Sequence, residues 1–213
     1  MSAIKIGLGL IINGMIGAAP LLLLALAILT FSLKKKTDVI TIFLEFVVVE
    51  CIISLTLLGI LHDSEVNWNM RNVNFLPFYS TWDCWKGALS GDLSYFIQIV
   101  GNILIFVPFG IIYRQVHGAG IKKALVVAFL FPFGIEIFQC IAGRVADADD
   151  IICNFVGTMF GYYIHAYASF VWKLPVATEI KTRSIKGRDC LTCFKVVWMG
   201  LYLCLIVRLV TLG

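Results

Sequence analysis

Charged side chains are scarce in this sequence: Asp, Glu, Lys and Arg make up 14% of it, against 60% hydrophobic residues. A soluble domain of 213 residues has neither so little charge nor so much apolar surface to hide, and the mean hydropathy of +0.94 says the same. A soluble fold is therefore excluded. No nucleic-acid partner is expected either, because the formal charge of +4 is better explained by basic loops that pin a membrane topology. The 7 cysteines are odd in number and scattered, most of them within or beside apolar runs, which argues against a disulfide framework. Cys190 and Cys193 form a lone C-x-x-C with no second pair and no thioredoxin-like surroundings, so neither zinc nor redox work is assigned to them. Internal repeats and low-complexity linkers are missing as well, and the chain reads as one structural domain.

Long apolar runs are abundant. They fall at about Leu8 to Leu33, Val39 to Leu61, Ser94 to Tyr113, Ala124 to Ile141, Ile151 to Trp172 and Phe194 to Leu212. A helix needs roughly 20 apolar residues to cross hydrocarbon about 30 Å thick, so these runs predict an all-α, polytopic transmembrane helical bundle of about six helices. The first run is too long for a signal peptide and places Pro20 directly after Gly17, Ala18 and Ala19, so it reads as a retained helix with a kink. Of the 17 basic residues, 12 fall in loops on one side and 5 on the other. The positive-inside rule then puts both termini outside the cell, together with the loops at 62–92 and 142–150.

The loop at 62–92 combines Trp68, Trp82 and Trp85 with the apolar string Phe75 to Tyr79. It is too short to span and too apolar to float in water, so it is expected to lie in the outer interface or to re-enter the membrane. The alternative is an ordinary packed loop.

Polar groups inside the runs point to a site. Ser94, Gln98 and Asn102 share a face of the third helix. Pro132, Glu136, Gln139 and Gly143 form a stripe on the fourth, and Asp150, Asn154, Gly157, Gly161 and His165 another on the fifth, where the glycines allow close helix approach. With helices alternating in direction, Asn102, Glu136, Gln139 and Asn154 share the outer half of the bilayer, and the segment from Arg144 to Asp150 closes over them. Three chemistries compete there. Glu136 could exchange a proton, with Asp149 or Asp150 as a second, more ionised carboxylate. Arg144 could hold a phosphate or carboxylate while Asn102, Gln139 and Asn154 bond a lipid head group. A hard cation on Asp147, Asp149, Asp150 and Glu136 is the third, but the spacing matches no specific metal motif and no metal is assigned. In the purely structural alternative Arg144 pairs with the aspartates, Asp150 caps the fifth helix and the amides lock helices together. Glu45, Glu50 and His165 read as packing groups. Few polar residues mark the inner half beyond Glu45, His165 and a helix break at Pro108, which counts against transport.

Four segments together resemble the VanZ-like family: Asn74 to Phe78 as N-F-L-P-F, Gly101 to Gly110 as GNILIFVPFG, Glu136 and Gln139 as E-x-x-Q, and Arg144 to Gly161 as RVADADDIICNFVGTMFG. The resemblance covers about residues 70 to 163 and leaves the first two helices and the sixth outside it. It divides the chain into 1–69, with two helices and the start of the outer loop, a core at 70–172, and 173–213, with a cytoplasmic loop and the last helix. It implies a membrane protein linked to low-level resistance to teicoplanin, a lipid-bearing glycopeptide. The family's polar signature falls on Asn74, Asn102, Glu136, Gln139, Arg144, Asp147, Asp150 and Asn154, with Pro77, Pro108 and Gly157 as structural marks. Where the family carries a small polar residue before the Glu, this chain has Phe133 or Gly134.

These readings combine into one expectation: an outward-facing polar pocket that handles a membrane lipid or lipid-linked envelope component. Glu136, Asp149 and Asp150 are the catalytic candidates. Asn74, Asn102, Gln139, Arg144, Asp147 and Asn154 are the substrate-binding ones. The rival functions are a non-catalytic binder that changes antibiotic or lipid access at the surface and, third, a lipid transporter or flippase. The sequence names no cofactor.

Overall fold

In the computed structural model of the chain, the described residues are 23, 36–62, 73–74, 76–89, 94–118, 120–141 and 146–172. They are mostly helical: α1 (Lys36–His62), α2 (Tyr79–Leu89), α3 (Ser94–His117), α4 (Ile121–Ile141) and α5 (Ala148–Trp172), with two-residue strands β1 (Val73–Asn74) and β2 (Ala146–Asp147). Four of these helices coincide with apolar runs read from the sequence. The first and sixth runs, both termini and residues 142–145 lie outside the described residues. Stretches Val39–Thr56 of α1 and Gln98–His117 of α3 are long and apolar enough to cross a membrane. The chain divides into two compact units, Met1–Ser64 with Ala177–Gly213, and Glu65–Val176.

In the first unit, α1 buries Ile42, Phe46, Glu50 and Ile53 at spacings of four, four and three, one face of a helix. Glu50 is fully buried and its Oε1 accepts a hydrogen bond from Ser54 Oγ at 3.3 Å, one turn further on the same face. This fits the packing use read for Glu50 from the sequence.

The second unit is built on α3 and α5, which run parallel. Asn102 lies beside Asp150, Gly110 beside Thr158, and Gln115 beside His165. The two backbones come so close that side chains are excluded at the crossing. A Cβ on Gly157 would sit 2.1 Å from the Ile103 carbonyl oxygen, one on Gly161 2.0 Å from that of Val107, and one on Gly110 1.9 Å from that of Thr158. Such contact replaces the hydrophobic drive that membrane helices lack with dense van der Waals packing. Helix α4 packs against both. Its Phe131 ring lies 4.7 Å from Phe109 and 5.8 Å from Phe106 of α3, while Ala124 and Ala128 meet Met159 and Tyr162 of α5.

Pro108 does not break α3, which runs through it from Ser94 to His117, contrary to the sequence reading. Proline removes one backbone donor, and the neighbouring turns carry the helix across the gap.

Candidate functional site

The site is assembled where α4 ends and α5 begins. Strand β2 pairs in parallel with β1, matching Val73 with Ala146 and Asn74 with Asp147. Two residues of pairing suffice to bring a segment more than 70 positions earlier against the start of α5.

Asp147 does three things there. Its Oδ1 accepts the N–H of Asp149 at 3.0 Å, which caps the first turn of α5 as an N-cap side chain should. The same oxygen accepts Asn74 Nδ2 at 3.4 Å, a long contact. Its own N–H donates to Glu136 Oε2 at 3.1 Å, so the buried α4 carboxylate, 3% exposed, is bound to the main chain of the α5 cap. Asp147, and not Asp150 as the structural alternative had it, therefore caps α5. Asp150 instead accepts from Asn102 Nδ2 at 2.6 Å and joins α5 to α3.

Asp149 is buried and faces away from these groups toward α2. Its Oδ1 accepts the N–H of Phe78 and its Oδ2 that of Thr81 at 2.7 Å. Helix α2 starts at Tyr79, and Trp82 donates to the Phe78 carbonyl at 2.9 Å, so Phe78 occupies the N-cap position with a side chain that cannot cap. Asp149 supplies the missing acceptor from another part of the chain. Phe78 takes a left-handed φ of 66°, which turns its N–H toward that carboxylate. Asn74 Oδ1, accepting from Leu76 N–H at 3.3 Å, tightens the turn before it.

Four carboxylates thus share a small region. Two physical terms offset the repulsion. Each of Asp147, Asp149 and Glu136 accepts at least one main-chain N–H, and Asp147, Asp149 and Asp150 stand at the positive end of the α5 dipole. Arg144 and Gly143 lie outside the described residues. Among the described residues no group of three or more His, Cys, Asp or Glu side chains is placed to hold a metal ion.

Glu136, Asp147, Asp149, Asp150, Asn74 and Asn102 are therefore joined by bonds at one end of the unit. Gln139 and Asn154, one turn along their helices from Glu136 and Asp150, are also buried, and Asn154 Oδ1 has no hydrogen-bond partner among the described residues. Gln98 is exposed and does not join them. Sequence reasoning missed the main-chain donors of Phe78 and Thr81, which no residue type could have signalled. It also missed the polar cluster at the far ends of α3 and α5. There His165 Nε2 bonds Gln115 Oε1, Ser169 Oγ lies 3.2 Å from His165 Nδ1, and the Arg114 guanidinium stacks 4.4 Å over the Tyr162 ring.

Neither a curated protein sequence nor a solved structure matches the chain. Residues 45–171 match the family model described as VanZ/LLP1. The match begins within α1, so it reaches further toward the N-terminus than the motifs at 70–163 and takes in most of the second predicted helix, which the sequence reading had left outside. Covering more than half of the chain and every candidate site residue, it establishes that this protein belongs to the VanZ/LLP1 family.

Proposed function

We propose that this VanZ-like membrane protein acts at the outer face of the cell membrane on a lipid or lipid-linked envelope component, and that it thereby lowers sensitivity to teicoplanin. The observation that carries the reading is the bond from the Asp147 main chain to buried Glu136, beside the Asn102 and Asp150 pair. It holds the buried carboxyl group of Glu136 at the cap of α5, whose first turn carries Asp150 and its bond from Asn102, and in this reading that carboxyl group exchanges a proton. In this reading Glu136 and Asp150 face the ligand. Asn74, Asn102, Gln139, Arg144, Asp147 and Asn154 bind and orient it. Asp149 anchors α2, because both of its oxygens are bonded to main-chain N–H groups.

A second reading, binding without turnover, is favoured by the same bonds: a carboxylate held by the protein's own donors suits shape recognition as well as chemistry. Glu136→Gln separates the two. The amide oxygen keeps the bond from Asp147, so the fold stays, but the group no longer exchanges a proton. Expressed at wild-type levels, Glu136→Gln should abolish the phenotype of an enzyme and only weaken that of a binder.

The test is glycopeptide susceptibility of a host expressing the chain. Protection should be greater against teicoplanin, whose acyl chain brings it to the bilayer, than against vancomycin. Equal protection against both would remove the membrane rationale.

A further inference from the structure

The apolar side chains of α2 follow a helical spacing. Trp82, Trp85 and Leu89 recur at intervals of three and four, which puts them on one face, and Phe78 precedes them at the N-cap. In a soluble protein that face would turn to the core. Here Trp82 is 60% exposed, Trp85 59% and Leu89 75%, and Phe78, Leu76 and Tyr79 are exposed with them.

Position identifies what covers this face. Helix α2 has 11 residues, a length of about 16 Å that cannot cross the bilayer. Its first turn is fixed by Asp149 in the first turn of α5, a helix of 25 residues. Five positions after Leu89 comes Ser94, the start of α3, whose apolar span opens at Gln98. The start of α2 is thus tied to α5, and its end lies five positions before α3, whose apolar span is long enough to cross a membrane and at whose end hydrocarbon gives way to head groups. Tryptophan and tyrosine favour that layer, being apolar in body and polar at one edge. The Lys86 ammonium lies 5.5 Å over the Trp82 ring, which places a positive charge beside the apolar face.

We propose that α2 is an interfacial helix that lays Phe78, Trp82, Trp85 and Leu89 into the boundary between acyl chains and head groups, with Lys86 against the phosphates of anionic lipids. Through Asp149 this surface is fastened to the segment that also binds Glu136, so the lipid boundary meets the edge of the site. The inference goes beyond the function proposed above and uses only the exposure and attachment of α2.

The full chain carrying Trp68→Phe, Trp172→Phe and Trp198→Phe retains Trp82 and Trp85 as its fluorophores. In phosphatidylcholine vesicles, lipids brominated at shallow acyl positions should quench this emission more than deeply brominated ones, and aqueous iodide should quench it little. Adding phosphatidylglycerol should increase the shallow quenching, and Lys86→Glu should cancel the increase. Strong iodide quenching without lipid quenching, quenching by neither, or strongest quenching by deep bromines would each overturn the proposal. So would an anionic preference that survives Lys86→Glu. If the triple variant does not insert, a nitroxide on Leu89→Cys in a cysteine-free chain reads the same boundary. Preference for oxygen over a nickel chelate is expected, and the reverse refutes it. A teicoplanin phenotype that persists with iodide-exposed tryptophans would sink the interfacial helix and leave the proposed function standing.

Discussion

The two ends of the parallel α3 and α5 pair carry polar groups of opposite design. At one end, carboxylates of α4, β2 and α5 are bonded mainly by main-chain N–H groups, and the bonds tie residues 74, 78, 81, 102, 136, 147, 149 and 150 across six elements. At the other, Gln115, His165 and Ser169 bond one another through side chains, and Arg114 rests on Tyr162, all on α3 and α5 alone. The second arrangement joins two helices through their own polar groups in a poor solvent, with Arg114 Nε left buried and unpaired among the described residues. The first gathers more charge than packing requires and holds it at fixed positions. That is expected of a site, since like charges repel and persist only where the surroundings hold them.

The change with the largest expected effect removes the comparison altogether. Gly157→Val puts a branched side chain where a Cβ already falls 2.1 Å from the Ile103 oxygen, so α3 and α5 must separate and both ends lose their register. A cost of about 3 kcal/mol or more is expected, read as a drop in thermal unfolding temperature in detergent and in the yield of folded protein. Wild-type stability would mean that the close crossing is not required.

Asp149→Ala divides the ends instead. It removes both acceptors of the first turn of α2 and leaves two N–H groups without partners, a local cost of about 2 to 3 kcal/mol. Hydrogen exchange should accelerate across residues 78–89 and stay unchanged at residues 110–117. Equal acceleration at both ends would show that the site end is no separate unit of stability.

Much of this contrast was legible in the sequence, and the reasons for the misses are physical. The stripe of Asp150, Asn154, Gly157 and Gly161 placed one face of α5 correctly because helical period is a property of the chain itself. The run was begun at Ile151, whereas α5 begins at Ala148, since charged residues end an apolar run although they suit a first helical turn. The α2 stripe is also present, but 11 residues after an apolar string read as an interfacial or re-entrant segment and not as a helix of their own. The pairing of Asn74 with Asp147 and the capping of α2 by Asp149 were not legible at all. They depend on main-chain groups that every residue carries, brought together from about 70 positions apart.

Asn154→Leu should have the smallest effect on stability and is the finest test of the comparison. Asn154 lies one turn below Asp150 on the face turned to α3, is 3% exposed, and has an Oδ1 without a partner among the described residues. A buried acceptor left unpaired costs free energy, and a leucine of the same branching removes that cost while its larger methyl groups add some crowding, so stability should move by less than about 1 kcal/mol. Asn102 has its amide bonded to Asp150, whereas Asn154 Oδ1, like Arg114 Nε at the other end, has no hydrogen-bond partner among the described residues. In the proposed function this oxygen accepts from a hydroxyl or amine of the ligand. Asn154→Leu should therefore fold, keep the slow hydrogen exchange of both ends, and lose teicoplanin protection. If protection is fully retained in a stable variant, the open oxygen belongs to packing, and the difference between the two ends narrows to the carboxylates alone.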